Sequence, residues 1–330
     1  MENIEFRELI NEDIFRTFSD ITPSAIFISR EKFIYVNSAI ENVSGYTREE
    51  LRDMYVWDVV HPDMREAAKK RFYDRLEGKT IPLRYEIKLL TRRGETVWID
   101  LSARLIKYKG EPALLGSALD ITGLKLTEEA LKESLEKQKK VLDGIVNTLS
   151  SVIELRDPYT SGHQHRVSDL GCAIAAEMGL TEERIESIRI AGLLHDVGKI
   201  TIPAELLSKP GKLNDAEMAL IKLHPQVSYE ILKKIDFPGP IAVITLQHHE
   251  KLDGSGYPSG LRSGDILPEA KILVVADIVE AMASNRPYRV SLGIEKALEE
   301  IEKNKGILYD PVVAETCLKL FREKTFSFKP

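Results

Sequence analysis

Cysteine is scarce in this 330-residue chain: only Cys172 and Cys317 occur. Two thiols cannot build a disulfide framework or a zinc ribbon. Cys172 lies in the apolar-periodic run GCAIAAEMGL, which marks a small buried hydrophobe, and the chain fits a reducing compartment. Long apolar runs are also missing, since no window approaches the 18 consecutive apolar residues of a membrane-spanning helix. The opening MENIEFRELINEDIF has no basic stretch leading into an apolar one, so no secretory signal is expected. Positive charge is not in excess: 46 Lys and Arg against 52 Asp and Glu give a net charge of −6. Such a chain has no general electrostatic attraction to nucleic acid or to an anionic membrane. The expectation is a cytoplasmic protein with no polymeric nucleic acid and no membrane among its partners. Any anionic ligand must be met by a local cluster of Lys, Arg or metal.

What is present is an ordinary globular balance, 43% hydrophobic and 30% charged, over a length that suggests about two domains. Residues 1 to about 120 mix short strands with helices. AIFIS (25–29) and KFIYVN (32–37) are β-rich, and GYTREELRD opens a helix with Thr47 and Glu50 as a capping box. Residues 84–108 alternate around the turn RRGE as a hairpin, and 111–122 form one more strand. These elements predict an α+β domain on an antiparallel sheet.

From 121 to 155 the pattern changes. Leu124, Leu131, Leu135, Leu142, Ile145, Leu149 and Val152 follow the three-and-four spacing of a heptad seam, with Glu128 and Gln138 as polar members. This helix either forms a parallel homodimer or packs on its own chain; the dimer is the preferred expectation. Residues 150–330 are dominated by helical periodicity, with helices expected near 163–178, 182–196, 215–234, 239–250, 270–284, 293–304 and 311–321 and no strand.

Six of the seven histidines fall in this second half: His163, His165, His195, His224, His248 and His249. Asp196 in AGLLHDVGKI and Asp277 in KILVVADIVEAM sit inside apolar helical runs, where a carboxylate is costly unless paired or metal-bound. Imidazole and carboxylate are the ligands of Zn, Mn, Fe and Ni. Adjacent helical residues project about 100° apart, so His195–Asp196 and His248–His249 suit two neighbouring metals better than one chelate. Two metals about 3.5–4 Å apart can hydrolyse a phosphodiester. Lys199, three residues after Asp196, shares its face and can hold a phosphate.

The ordered words RDPYTSGHQHRV, HDVGKI, KPGKL, the HP at 224–225, HHEKLDGSGYPSGL and SNRPYR span nearly all of 152–312. They resemble the HD phosphohydrolase superfamily, and closely its HD-GYP subgroup. The resemblance implies an all-α domain over 156–330 that hydrolyses the bacterial second messenger cyclic di-GMP to linear pGpG or on to GMP. It implies His163, His195, Asp196, His224, His248, His249 and Asp277 as ligands of two divalent metal ions, iron or manganese with zinc or nickel as alternatives. Asp196 would bridge them, and Lys199 would sit beside the scissile phosphate. Tyr257, Arg286 and Arg289 would hold phosphates or guanines. His165 is expected at the surface.

Some relatives carry a glutamate four residues before the first histidine and bind a third metal; Tyr159 stands there in this chain, so two metals are expected, with Glu154 and Asp157 as nearby carboxylates. Glu280 and Asn285 replace two aspartates of the family pattern, and the expected effect is on packing or substrate fit rather than on metal binding. Other functions open at this point are a non-catalytic receptor for the dinucleotide and a hydrolase preferring another nucleotide such as cyclic GMP–AMP.

FIYVNSAIENVSGYTREEL, VVHPDMREA, the RRGETVWID hairpin and LLGSALDIT resemble a PAS sensor domain over about 10–122, with 123–155 as a coiled-coil signalling helix. Such domains bind haem, flavin, a small metabolite or nothing, and the ligand here is open. His61, the one histidine of this half, sits in a turn-like HPDM and is not expected to ligate haem; cysteine-type flavin photochemistry is excluded, because this half has no cysteine.

Overall fold

The computed structural model describes residues 12–156, 162–209, 211–284 and 291–328. The chain divides into two compact units, Met1–Lys137 and Gln138–Pro330.

The first unit begins with α1 (Glu12–Ile21), β1 (Ala25–Ser29), β2 (Phe33–Val36), α2 (Ser38–Ser44), α3 (Arg48–Asp53) and α4 (Pro62–Leu76). β3 (Arg84–Leu90), β4 (Thr96–Tyr108) and β5 (Glu111–Asp120) complete an antiparallel sheet of order β2-β1-β5-β4-β3. The capping box at α3 is present as the sequence predicts: Thr47 accepts from the Glu50 amide and Glu50 from the Thr47 amide. His61 is the N-cap of α4, where its ring accepts from the Asp63 amide and Pro62 opens the helix. One face of the sheet carries Ala25, Ile87, Ile99 and Ala118 against Ile40 and Leu51. That core encloses a cavity of about 80 Å³ that His61 does not line. A cavity of about 150 Å³ is what benzene fills in an engineered protein, so haem or flavin would require this core to open.

The helix α5 (Thr122–Arg156) starts where the Thr122 hydroxyl accepts from the Trp98 amide. The expected seam divides along its length. Leu142 and Leu149 pack with Val146 and Ile153 on the core of the second unit, whereas Leu124, Leu131, Leu135, Ile145 and Val152 are exposed. The helix therefore does pack on the apolar core of its own chain, but only from Leu142 onward.

The second unit continues with α6 (His163–Glu177), α7 (Glu182–Leu194), a 3-10 turn (Val197–Thr201), α8 (Ala204–Leu207), α9 (Asp215–Ile221), α10 (His224–Leu232), α11 (Ile241–Gln247), α12 (Pro268–Ala283), α13 (Ile294–Lys303) and α14 (Pro311–Arg322). No strand occurs among its described residues. The apolar α12 is the central element, with Ile272, Leu273, Val275, Ala276 and Val279 buried. The helix expected over 215–234 is two helices. Pro225 has no amide to donate and fits a first turn, so the chain restarts there as α10.

Candidate metal centre

Four helix ends and one helix face converge on one buried pocket. His163 opens α6, His195 and Asp196 follow α7, His224 opens α10, His248 and His249 follow α11, and Asp277 lies within α12. All are buried except His249, which is partly exposed. His195, His224 and His248 share one local device. Each Nδ1 meets the carbonyl three residues earlier: Gly192 at 2.7 Å, Ile221 at 2.8 Å and Thr245 at 2.6 Å. A carbonyl only accepts, so each Nδ1 carries a proton and each ring turns its Nε2 into the pocket.

The Nε2 atoms of His224 and His248 are 3.2 Å apart. With no proton between them, two lone pairs face each other, and a cation is what resolves such a contact. Donor atoms fall into three sets, each within 4.8 Å: His224, His248 and His249; His163, His195 and Asp277; and His195, Asp196 and His248. Asp196 reaches both sides. Its Oδ1 is 3.3 Å from His224 Nε2, while its Oδ2 is 3.4 Å from His195 Nε2 and 4.0 Å from His163 Nε2. Asp277 lies 3.3 Å from His163 Nε2 and 3.8 Å from His249 Nδ1. The donor chemistry and the facing lone pairs fit divalent metal.

Electrostatics prepare the donors. Burial by itself would raise the Asp196 carboxyl, but Lys199 and the surrounding imidazoles outweigh it and hold the group well below the usual carboxylate range. Asp277 is likewise held low against its burial by the hydrogen bond and charge of His163. Burial pushes His224 down to about 4, His249 to about 3 and His248 well below its ordinary value. His163 is the exception: burial would lower it, yet Asp277 and Glu280 push it up to about 9. At neutral pH most of the set is already deprotonated, as metal ligation requires.

The cleft above these groups has a volume of about 610 Å³, within the usual range for a small-molecule site. Lys199 lies in it, its Nζ 2.6 Å from Asp196 Oδ2. Lys209 and Lys212 line the same cleft, with Leu213, Met218 and Ile221 as its apolar wall. The Tyr257 ring stacks on His249 with centroids 4.7 Å apart, and the Lys222 ammonium lies 5.3 Å from its centroid. The turn that carries Tyr257 is stapled by buried Glu250, which accepts from the amides of Ser259 at 2.7 Å and Leu261 at 2.9 Å. Gly256 packs directly on backbone, since a Cβ there would stand 2.5 Å from the His249 carbonyl oxygen.

The structure thus brings together the seven predicted donors, Lys199 and Tyr257. Arg286, Arg289, Asn285, Asp157 and Tyr159 lie outside the described residues. His165 is exposed, as expected. Glu154 caps the start of α6, accepting from the Gly162 amide at 2.9 Å, and joins no donor set. Sequence reasoning missed Lys209, Lys212, Lys222 and Glu250, and it misread Glu280. That residue is buried against His163 Nδ1, so its substitution bears directly on a candidate ligand and not only on packing or substrate fit. Its spacing from Asp277 gave the signal, since residues three apart share a helix face.

Comparison with known proteins agrees with this geometry. The PAS fold matches residues 33–118, and the HD domain matches residues 147–313. A cyclic di-GMP phosphodiesterase of Thermotoga maritima is 40% identical over 204 residues, covering 61% of this chain and 55% of that protein. The cyclic di-GMP phosphodiesterase response regulator RpfG of Xanthomonas campestris is 39% identical, covering 58% and 50%. The 3'3'-cGAMP-specific phosphodiesterase 3 of Vibrio cholerae is 36% identical, covering 52% and 37%. The chain spans about half the length of the first two relatives and less of the third. Among the described residues no helix is long and apolar enough to cross a membrane. An HD domain implies divalent-metal binding, and with that match extending over half of its length the chain belongs to the HD domain family.

Proposed function

We propose that this protein is a metal-dependent phosphodiesterase that hydrolyses cyclic di-GMP to pGpG or GMP under control of its N-terminal sensor. The observation that carries this reading is the Asp196 carboxylate, shared between two groups of imidazoles at the floor of a lysine-lined cleft. His163, His195, Asp196, His224, His248, His249 and Asp277 would hold two divalent ions, iron or manganese before zinc or nickel. Such ions supply a hydroxide nucleophile and Lewis acidity at phosphate oxygens.

The chain's own groups do the rest. Lys199 offsets charge developing on the scissile phosphate. Lys212 adds positive potential at the cleft, where Lys209 is already paired with Glu217 at 2.6 Å. Tyr257 and the apolar wall receive a base by stacking. Arg286 and Arg289 hold phosphates or guanines through their planar forks. Residues 10–122 act as the sensor, 123–155 as a signalling helix that pairs two chains, and 156–330 as the hydrolase, in the cytoplasm. Cyclic GMP–AMP is the second reading for the substrate, favoured by the similarity to the Vibrio cholerae enzyme. A non-catalytic receptor has no use for a full donor set beside Lys199.

The test is turnover of cyclic di-GMP, with cyclic GMP–AMP as competitor, by anaerobically purified protein loaded separately with Fe(II) or Mn(II). The same assay is run on His195→Ala combined with Asp196→Ala. Linear product from wild type alone supports the reading. Bound metal and bound dinucleotide without product would replace it with the receptor.

A further inference from the structure

Three of the pocket's imidazoles are oriented by the backbone carbonyl three residues earlier in the chain. His163, the first residue of α6, has a different partner. Its Nδ1 instead meets Glu280, a buried carboxylate on α12. The second carboxylate oxygen, Oε1, accepts from Arg166 Nε at 2.7 Å and from the Ser284 hydroxyl at 2.6 Å. Arg166 lies one turn after His163 on α6, so α6 grips Glu280 at two points. Ser284 is the C-cap of α12 and the last described residue before Asn285.

We propose that Glu280 is a positioning residue for His163. It takes at His163 the part that a backbone carbonyl plays at the other three rings, accepts from Nδ1 and aims Nε2 at Asp277 and Asp196. Through Oε1 it also ties that ring to the end of α12, from which the segment bearing Arg286 and Arg289 departs. Orientation of a ligating imidazole by a carboxylate on its other nitrogen is a general means of fixing tautomer and ring angle.

The proposal rests on the metal-centre reading, not on the identity of the substrate. Its test is Mn(II) binding to the metal-free full-length chain, followed by electron paramagnetic resonance. Glu280→Gln keeps the shape but turns one acceptor into a donor. Whichever way the amide faces, either His163 or the Arg166–Ser284 pair loses its partner. Roughly a ten- to hundredfold loss of affinity is expected at one of two sites. Glu280→Asp, which keeps the charge but draws it back by one methylene, should fall between Gln and wild type, and it carries the test should the Gln variant not fold. In a His163→Ala background, Glu280→Gln should cost no further affinity, because the two residues act as one unit.

Mn(II) affinity within twofold of wild type in both variants overturns the proposal, as does a loss that persists undiminished without His163. Wild type that binds no metal would sink the metal-centre reading itself. Wild type that binds Mn(II) but turns over no cyclic dinucleotide would sink only the substrate reading.

Discussion

Gly198→Ala probes how the pocket is held together. Gly198 follows the His195–Asp196 pair in the 3-10 turn and rests on the start of α10. Its amide donates to the Ser228 hydroxyl at 2.9 Å, and that hydroxyl donates to the His195 carbonyl at 2.8 Å. An added Cβ would stand 2.1 Å from the His224 carbonyl oxygen and 2.7 Å from the Ser228 amide nitrogen. Both neighbours are backbone, so neither can swing aside. Ordinary carbon–oxygen contact needs about 3.3 Å, so the turn and α10 must part by about 1 Å. Overpacking of this kind costs about 1–3 kcal/mol, and each weakened Ser228 bond about 0.5–1.5 kcal/mol. At about 2–4 °C per kcal/mol for a unit of this size, Tm should fall by about 5–15 °C. Asp196 Oδ1 and His224 Nε2, now 3.3 Å apart, would separate by the same ångström. Metal–ligand distances tolerate only about 0.2 Å, so Mn(II) affinity should drop at least about tenfold. Differential scanning calorimetry of the metal-free protein and a Mn(II) titration measure the two effects. A variant with Tm within about 2 °C of wild type and unchanged Mn(II) affinity would refute the claim that this close approach sets the pocket.

Three further outcomes are expected. Metal-free protein should be most stable near pH 6.5. Burial lowers His224 from 6.5 to about 4 and His249 to about 3, so the unfolded chain takes up protons first, and stability that is full above 6.5 is lost as pH falls through those values; His224 alone contributes about 3 kcal/mol. His163, raised to about 9, has the opposite sign, its contribution being full below 6.5 and lost as pH rises through 9; a urea midpoint flat from pH 4 to 6.5 would contradict the first part, and one that keeps climbing from pH 6.5 to 9 the second. Glu250→Gln should put an amide donor against either the Ser259 or the Leu261 N–H, costing about 1–3 kcal/mol locally; unchanged hydrogen-exchange protection at those amides would count against the staple. Leu131→Glu with Leu135→Glu places charge on exposed positions of α5 that touch neither core, so it should convert a dimer to monomer by sedimentation without lowering Tm; a dimer that persists would move the pairing surface elsewhere.

The sequence by itself determined the helical and α+β halves and the capping box of α3, and it pointed, through a family resemblance, to seven candidate donors that the fold gathers in one pocket. It could do so because helical periodicity and turn chemistry are local, and because histidine is rare enough that its clustering carries information. The break between α9 and α10 was also written locally, in Pro225, though the apolar periodicity on either side concealed it. Tertiary structure decided what depends on residues far apart in the chain. The Nε2 atoms of His224 and His248 meet only because α10 and α11 pack together, and Gly198 is essential only against the backbone of α10. Glu280 reaches His163 across 117 positions of sequence. Its substitution looked like a matter of packing because no local pattern records that α12 lays this carboxylate against the His163 ring of α6. The seam of α5 was ambiguous for the same reason: heptad spacing specifies an apolar stripe, and only the packed core shows that Leu142 and Leu149 are already buried while Leu131 and Leu135 remain exposed.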